Sequence, residues 1–330
     1  MASLRIGVLG AAKIAPSALI KPSRKVDEVE VTAIAARDRS KAERFAGKHG
    51  IPAVLDSYRA LIDEPTIDAI YNPLPNGLHG RWTIAALEAG KHVLCEKPFT
   101  ANAGEADAVA AVAEQSGRVV MEAFHYRYHP LIDRILEILR AGELGTVRHV
   151  ETWMIAPVLS RRDIRWQFDL AGGSTMDMGC YTIHLLRTLA GDEPEVVKAS
   201  ARERSPGVDK WLQAEMRFAD GTTGKVTASM LSPRVLSLGA RVEGDNGELR
   251  VLNPYAPHFF ARLTVRSNGK KRTEPRPSRE PTYLFQLRAF ADAVLRGKTI
   301  PTGPADSIAN MRVIDAAYRA AGLEPRQPSA

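Results

Sequence analysis

A chain of 330 residues is long enough for two hydrophobic cores, because a single core tends to stop growing near ~250–300 residues. With 45% hydrophobic and 25% charged residues, and no apolar run near the ~20 residues needed to cross a bilayer, it reads as a globular protein rather than a membrane one. The net charge is +7, but Lys and Arg are scattered instead of gathered into a stripe, so no nucleic-acid partner is expected.

The opening MASLRIGVLGAAKIA could pass for a short leader, but Arg5 breaks its apolar run. The segment reads better as strand, turn and helix, and a cytoplasmic location is expected by default. Strand 4–9 ends at Gly10, and a helix follows from about Ile14. A second strand covers 30–36, and Ser40 is placed to cap the next helix. IDAIYNPLP holds a strand closed by prolines, LHGRWTIAALEAG a helix ended by Gly90, and KHVLCEKP a strand stopped by Pro98. A helix over 101–116 and a strand over 118–124 close the series. Strands alternating with helices at this interval mean βαβ units on a parallel sheet.

The pattern then changes. After a helix near 130–140 comes the strand VRHVETWMIA, then a helix over about 174–190. Strand-like runs come next, punctuated by turn signals at 220–221, 246–247 and 268–269. The basic run Lys270, Lys271, Arg272, Arg276, Arg279 carries Pro275, Pro277 and Ser278 and reads as a solvated loop. Helices near 283–296 and 305–321 end the chain. The expected architecture is α/β: an N-terminal Rossmann doubly wound parallel sheet over 1–125, then a C-terminal α+β domain over 126–330. That second domain should hold a large open-faced, mainly antiparallel sheet, with the last helices free to pack back on the first domain. Cys95 and Cys180 are too few for a disulfide framework and read as buried thiols; no metal site is expected.

Gly10-Ala11-Ala12-Lys13-Ile14-Ala15 follows the first strand. The Rossmann fingerprint is G-x-G-x-x-G/A, in which the first Gly makes the turn and the second admits the pyrophosphate backbone-close. Here Gly10 and Ala15 fit, and Ala12 departs by one methyl. An NAD enzyme usually ends its second strand with Asp or Glu for the ribose 2′-hydroxyl. That position is apolar here and Arg37 follows, a residue able to pair with a 2′-phosphate, with Ser40 and Lys41 in support. NADP is therefore expected; the alternative is that Asp38 takes the ribose and NAD binds.

Four more segments complete the pattern: Pro73-Leu74-Pro75-Asn76-Gly77-Leu78-His79, Glu96-Lys97-Pro98, Glu122 to Pro130, and Gly172-Gly173-Ser174-Thr175-Met176-Asp177-Met178-Gly179-Cys180-Tyr181. Lys97 lies just past a strand's C-terminal end, where ligands sit in open α/β sheets. Asp177, Tyr181 and His184 share one helical face. In this order the segments resemble the glucose-fructose oxidoreductase / inositol dehydrogenase family over essentially the whole chain. Many members carry His where this chain has Tyr181, and an acid where it has His184. Tyr there is similar to the subgroup of dimeric dihydrodiol dehydrogenases and NADP-dependent xylose dehydrogenases.

The resemblance implies an NADP-dependent oxidoreductase acting on a CH–OH group of a sugar, polyol or cyclic diol. Tyr181 is the expected acid/base, assisted by Lys97. Asp177 either orients Lys97, contacts a substrate hydroxyl or makes a plain ion pair, and His184 either meets substrate or packs. Pro73, Leu74, Asn76, His79 and Glu96 are expected along the cofactor channel, unless His79 merely caps its helix. Arg127 and Arg165-Trp166 are expected to border nicotinamide or substrate, and Trp153 to help set specificity. The resemblance also implies a homodimer or homotetramer built through the C-terminal sheet. A non-catalytic dinucleotide-binding regulator on the same fold is the alternative.

Overall fold

The computed structural model describes residues 3–233 and 235–330, and the chain packs as two compact units. One comprises the chain up to Arg127 with Tyr283–Ile308 and Pro328–Ala330; the other comprises Tyr128–Thr282 and Ala309–Gln327.

The first unit holds a six-stranded, wholly parallel sheet. In chain order its elements are β1 (Leu4–Leu9), a π turn over Pro16–Ile20 running into α1 (Lys21–Ser23), β2 (Val29–Ala35), α2 (Arg39–His49) and β3 (Ala53–Leu55). Then come α3 (Tyr58–Asp63), β4 (Ala69–Asn72), α4 (His79–Glu88), β5 (His92–Cys95), α5 (Ala103–Ser116) and β6 (Val120–Glu122). The strand order β3-β2-β1-β4-β5-β6 reverses at β1/β4, the place where such sheets open a ligand crevice at their strands' C-terminal ends. The central strands are buried on both faces, which is why they read as apolar runs rather than alternating ones. At the β6 edge, the Thr302 carbonyl accepts from the Glu122 N–H at 2.9 Å and the Thr302 hydroxyl donates to the Glu122 carbonyl at 2.8 Å, so that edge is covered.

One local expectation is corrected by the structure, and one element is not anticipated by the sequence. The cap of α2 is Asp38, whose carboxylate accepts from the Lys41 N–H at 3.1 Å; Ser40 lies one residue inside the helix. The edge strand β3 has only three residues behind Pro52, too short to leave a periodic signal.

The second unit contains α6 (Pro130–Arg140), β7 (Val147–Ile155), a π turn over Thr175–Gly179 running into α7 (Cys180–Ala190), and β8 (Glu195–Ser205). Next come β9 (Val208–Arg217), β10 (Thr223–Ser229), β11 (Ser237–Gly244), β12 (Gly247–Leu252), β13 (Arg262–Ser267) and β14 (Lys270–Glu274). The eight strands lie in the order β14-β13-β12-β11-β7-β10-β9-β8. Only β7 and β10 run parallel; every other pair is antiparallel. Of the basic run at 270–279, Lys270, Lys271 and Arg272 are thus in a strand, while Arg276 and Arg279 lie beyond it outside any strand or helix. Arg272 pairs with Glu143 and Glu274 at 2.6 Å each, and charge on an edge strand discourages further pairing.

Helix α7 lies on one face of this sheet. The Thr152 hydroxyl donates to the Thr182 carbonyl at 2.8 Å, and a Cβ at Gly179 would sit 3.5 Å from the Ala228 methyl. Two further helices, α8 (Thr282–Arg296) and α9 (Pro304–Ala320), close the chain.

Candidate active site

In the first unit the expected residues gather at the C-terminal ends of parallel strands. Gly10 ends β1 with φ +81°, a conformation glycine adopts without strain, and its N–H donates to the Ala35 carbonyl at 2.7 Å. A Cβ there would lie 3.1 Å from Leu74, so the turn after β4 closes over the glycine. Ala12 and Ile14 are half-buried and Lys13 is exposed, and no side chain caps the helix beyond them. Arg37 is exposed just past β2. Its neighbour Arg39 is tied to Asp56 and Glu43, and Lys41 is exposed beside Asp38.

Behind these turns, buried side chains fix the loop ends. The Asn72 amide donates to the His79 carbonyl at 3.0 Å and to the Thr83 hydroxyl at 3.2 Å. His79 has no exposed surface: its two ring nitrogens lie 2.7 Å from the Pro98 and Leu74 carbonyls. It joins the turn after β4 to the turn after β5. Burial pushes its pKa down to about 4, with the charge on Lys97 adding in the same direction.

Glu96 is also buried and accepts from the Tyr71 hydroxyl at 2.7 Å. The next residue, Lys97, is half-buried and joined to Pro98 by a cis peptide. Pro73 and Leu74 are buried, and Asn76 and Arg127 are half-buried.

In the second unit Asp177 and Tyr181 lie on the π turn and first turn of α7. Asp177 pairs with Arg165 at 3.0 Å, while Arg165 also reaches Asp163 at 3.1 Å. The Asp177 carboxylate, more than any other group, holds the Arg165 guanidinium in its charged form. Tyr181 is 7% exposed and meets Tyr255 edge-on at 5.8 Å between ring centres. His184 is buried at 1% exposure in the packing of α7.

Two expectations change. Trp166 packs with Met178, Val208, Ala228 and Met230, its N–H donates to the Val158 carbonyl at 3.2 Å, and Arg204 covers its ring at 4.2 Å. That ring is core, so of the pair only Arg165 presents exposed surface. Trp153 stands on the sheet face opposite α7, because strand alternation turns Thr152 toward the helix and residue 153 away. Its ring lies across Gly239, where a Cβ would overlap it.

One group escapes a reading of the sequence alone. Asp209, Tyr318 and Arg326 are fully buried and converge on the Gly172-Gly173 turn. Asp209 falls in register with Gln213 and Glu215, on the polar positions of β9's alternation, so nothing in the sequence signals its burial.

Comparison with known proteins decides the family. Residues 4–124 match the model described as "Oxidoreductase family, NAD-binding Rossmann fold", and residues 132–250 match "GFO/IDH/MocA C-terminal domain". A D-xylose 1-dehydrogenase (NADP(+)) from Haloferax volcanii is 39% identical, over 96% of this chain and 97% of its own. The chain belongs to the GFO/IDH/MocA oxidoreductase family.

A mouse trans-1,2-dihydrobenzene-1,2-diol dehydrogenase of this family is 32% identical over 86% of this chain and 83% of its own. A 3-ketoreductase from Actinomadura kijaniata, solved with NADP and TDP-benzene, superposes with a TM-score of 0.90 at 30% identity, covering 96% of this chain and 98% of that one. That ketoreductase has also been solved with a tyrosine changed to phenylalanine and with a lysine changed to alanine. As a GFO/IDH/MocA member this chain is an enzyme, an oxidoreductase that moves hydride to and from a nicotinamide dinucleotide. Among the described residues no helix is long and apolar enough to cross a membrane, and no three His, Cys, Asp or Glu side chains gather as metal ligands.

Proposed function

We propose that this chain is an NADP-dependent oxidoreductase acting on a CH–OH or C=O group of a sugar, polyol or cyclic diol, with Tyr181 as its acid/base. The first unit is the dinucleotide-binding part and the second carries the substrate-recognising residues. The observation that carries the cofactor reading is the use made of Asp38. One oxygen of its carboxylate caps α2, while Arg37 is the first exposed charge past β2. A guanidinium there suits a 2′-phosphate, and the carboxylate that a ribose hydroxyl would need already gives one oxygen to the helix cap. The Gly10 turn and the uncapped helix start after it suit a pyrophosphate, since backbone N–H groups and the helix dipole favour an anion there.

When bound, the nicotinamide supplies or accepts the hydride. The chain's own task is the proton. The Tyr181 hydroxyl donates it to a carbonyl oxygen during reduction and takes it back during oxidation. Lys97 is the cation proposed to assist it, carried on the Glu96–Pro98 turn. Asp177, held by Arg165, sets a negative charge one helical turn from Tyr181. Three relatives support the substrate class, since their names are those of enzymes acting on xylose, on a cyclic diol and on a keto group.

The same reading seats a second copy of the chain on the open face of the larger sheet. There Trp153, Trp211, Gln213, Thr227 and the Lys225–Glu151 pair surround a cavity of about 550 Å³. Light scattering should then give at least twice the chain mass, and a monomer at micromolar concentration would contradict it.

Changing Tyr181 to Phe keeps the ring packed on Tyr255 and removes the hydroxyl. Turnover should fall by ~10²-fold or more, the usual worth of a positioned acid/base, with NADPH affinity unchanged. Wild-type turnover in Tyr181→Phe would remove Tyr181 from the chemistry.

A further inference from the structure

Every member of the Asp209 cluster lies in the second unit, and each hydrogen bond of its carboxylate can be named. Oδ2 accepts from the Ser174 hydroxyl, the Thr175 N–H and the Thr175 hydroxyl, each at 2.7 Å. Oδ1 accepts from the Tyr318 hydroxyl and from Arg326 Nη2, each at 3.0 Å. Arg326 also donates from Nε to the Gly172 carbonyl at 2.7 Å, and its guanidinium lies over the rings of Tyr318 at 4.2 Å and Phe168 at 5.3 Å. Arg326, Asp209 and Tyr318 are all 0% exposed.

Three elements distant in sequence, namely β9, α9 and the segment after α9, therefore end on the same turn. The backbone is shaped to receive them. Gly173 has φ +132°, and a Cβ there would overlap the Asp209 carboxylate and lie 2.9 Å from Arg326. A Cβ at Gly172 would lie 2.6 Å from the Arg165 carbonyl.

The helix start beyond this turn is not an ordinary one. Thr175–Gly179 is a π turn, and π geometry is uncommon and tends to persist at functional sites. Its register sets the directions of Asp177 and, one residue into α7, of Tyr181. Three of the bonds to Asp209 come from Ser174 and Thr175, at the entry to that turn. A cluster needed only for cohesion could bond anywhere on the helix; this one clamps the residues that fix its register.

We propose that Asp209, held by Arg326 and Tyr318, is a positioning residue for the reaction: it sets the π turn that aims Asp177 and Tyr181. The proposal rests on the reading of Tyr181 as the acid/base. Positioning of this kind matters because a displacement near 1 Å at a reacting group can cost ~10²-fold in rate.

The test uses the full chain with NADPH and a carbonyl substrate the wild type turns over. Asp209→Asn keeps the shape but replaces one acceptor oxygen by a donor. Tyr318→Phe removes a single hydroxyl, keeps the ring over Arg326, and serves if Asp209→Asn does not fold. Measured well below each variant's Tm, kcat should fall about tenfold or more in Asp209→Asn and roughly threefold to tenfold in Tyr318→Phe. NADPH affinity should stay within about twofold of wild type, and the limb of the kcat–pH profile that reports the acid/base should move. A lower Tm with wild-type kcat and an unmoved profile in the folded variants would overturn the proposal and leave a purely structural cluster. Tyr181→Phe is run in parallel to separate the two readings. If it loses turnover while the cluster variants keep theirs, only the positioning role fails. If it keeps full turnover, the acid/base reading fails and the positioning role with it.

Discussion

His129 is a buried ring whose contact depends on its remaining neutral, and His79 is a buried ring held between two carbonyls. The His129 Nδ1 accepts from the Leu131 N–H at 3.1 Å and so caps α6, a task a protonated nitrogen cannot perform. Burial, then the positive charges of His258 and Arg276, lower its pKa to about 4; burial lowers that of His79 to about 4 as well. Both values lie below the ordinary 6.5, so the unfolded chain takes up these protons first. Their contribution to stability is therefore complete above pH 6.5 and is lost as pH falls through about 4. Tm should fall across that range, and less steeply in His129→Asn, which keeps a side-chain acceptor at the cap. Equal slopes for wild type and variant would show that His129 does not titrate as described.

The same scale explains which single residues the sequence reveals. The Glu96-Lys97-Pro98 and Gly172-Gly173 signatures are local, so they can be read without the fold. Asp209, Tyr318 and Arg326 are separated by up to 117 positions, and only packing brings them together. Trp153 is hard to place because alternation gives two faces without saying which one carries α7. Trp166 is hard to place because its cover, Arg204, comes from the distant strand β8.

At the scale of elements, one helix of each unit opens with a π turn, Pro16–Ile20 after β1 in the first and Thr175–Gly179 before α7 in the second. Neither has a side-chain cap bond at its start. The second is anchored through Asp209, and Gly173 makes that anchoring possible. Gly173→Ala should therefore destabilise the chain by at least ~2 kcal/mol, combining backbone strain with overlap at a buried carboxylate. In thermal melts that is a drop of several degrees. Gly104 supplies the control. It has an ordinary helical backbone in α5, its nearest foreign atom would lie 3.4 Å from a Cβ, and Gly104→Ala should be neutral or slightly stabilising. A Gly173→Ala melt matching wild type would mean that the turn can rearrange without loss.

Long elements are legible because their periodicity is strong: the central parallel strands, α5 and most of the antiparallel sheet. Strands β3 and β14 escape notice for opposite physical reasons. One has three residues, and the other is an edge whose charges imitate a loop.

For the whole molecule, the change from alternating helices and strands to a run of strands reveals the two-sheet architecture, and the spaced motifs reveal the family. The chain's path is harder to read. Residues 283–308 pack with the first unit and 309–327 with the second, although α9 is one continuous helix across that division. No local signal marks such a crossing, because helix periodicity is blind to the neighbour it packs against.

The central claim is an NADP-dependent hydride transfer to or from a sugar or diol. It is tested most directly by initial rates of NADP⁺ and NAD⁺ reduction with aldoses, polyols and trans-dihydrodiols, and by the reverse reaction with carbonyl compounds, for wild type and Arg37→Ala. The account predicts turnover with one of these groups and a clear NADP⁺ preference in kcat/KM. In Arg37→Ala that preference should shrink by roughly tenfold or more through KM for NADP⁺, as expected for a lost charge-assisted contact to phosphate. Equal or better turnover with NAD⁺, unaffected by Arg37→Ala, would contradict the cofactor assignment. NADPH binding without turnover of any such substrate in either direction would contradict the proposed reaction.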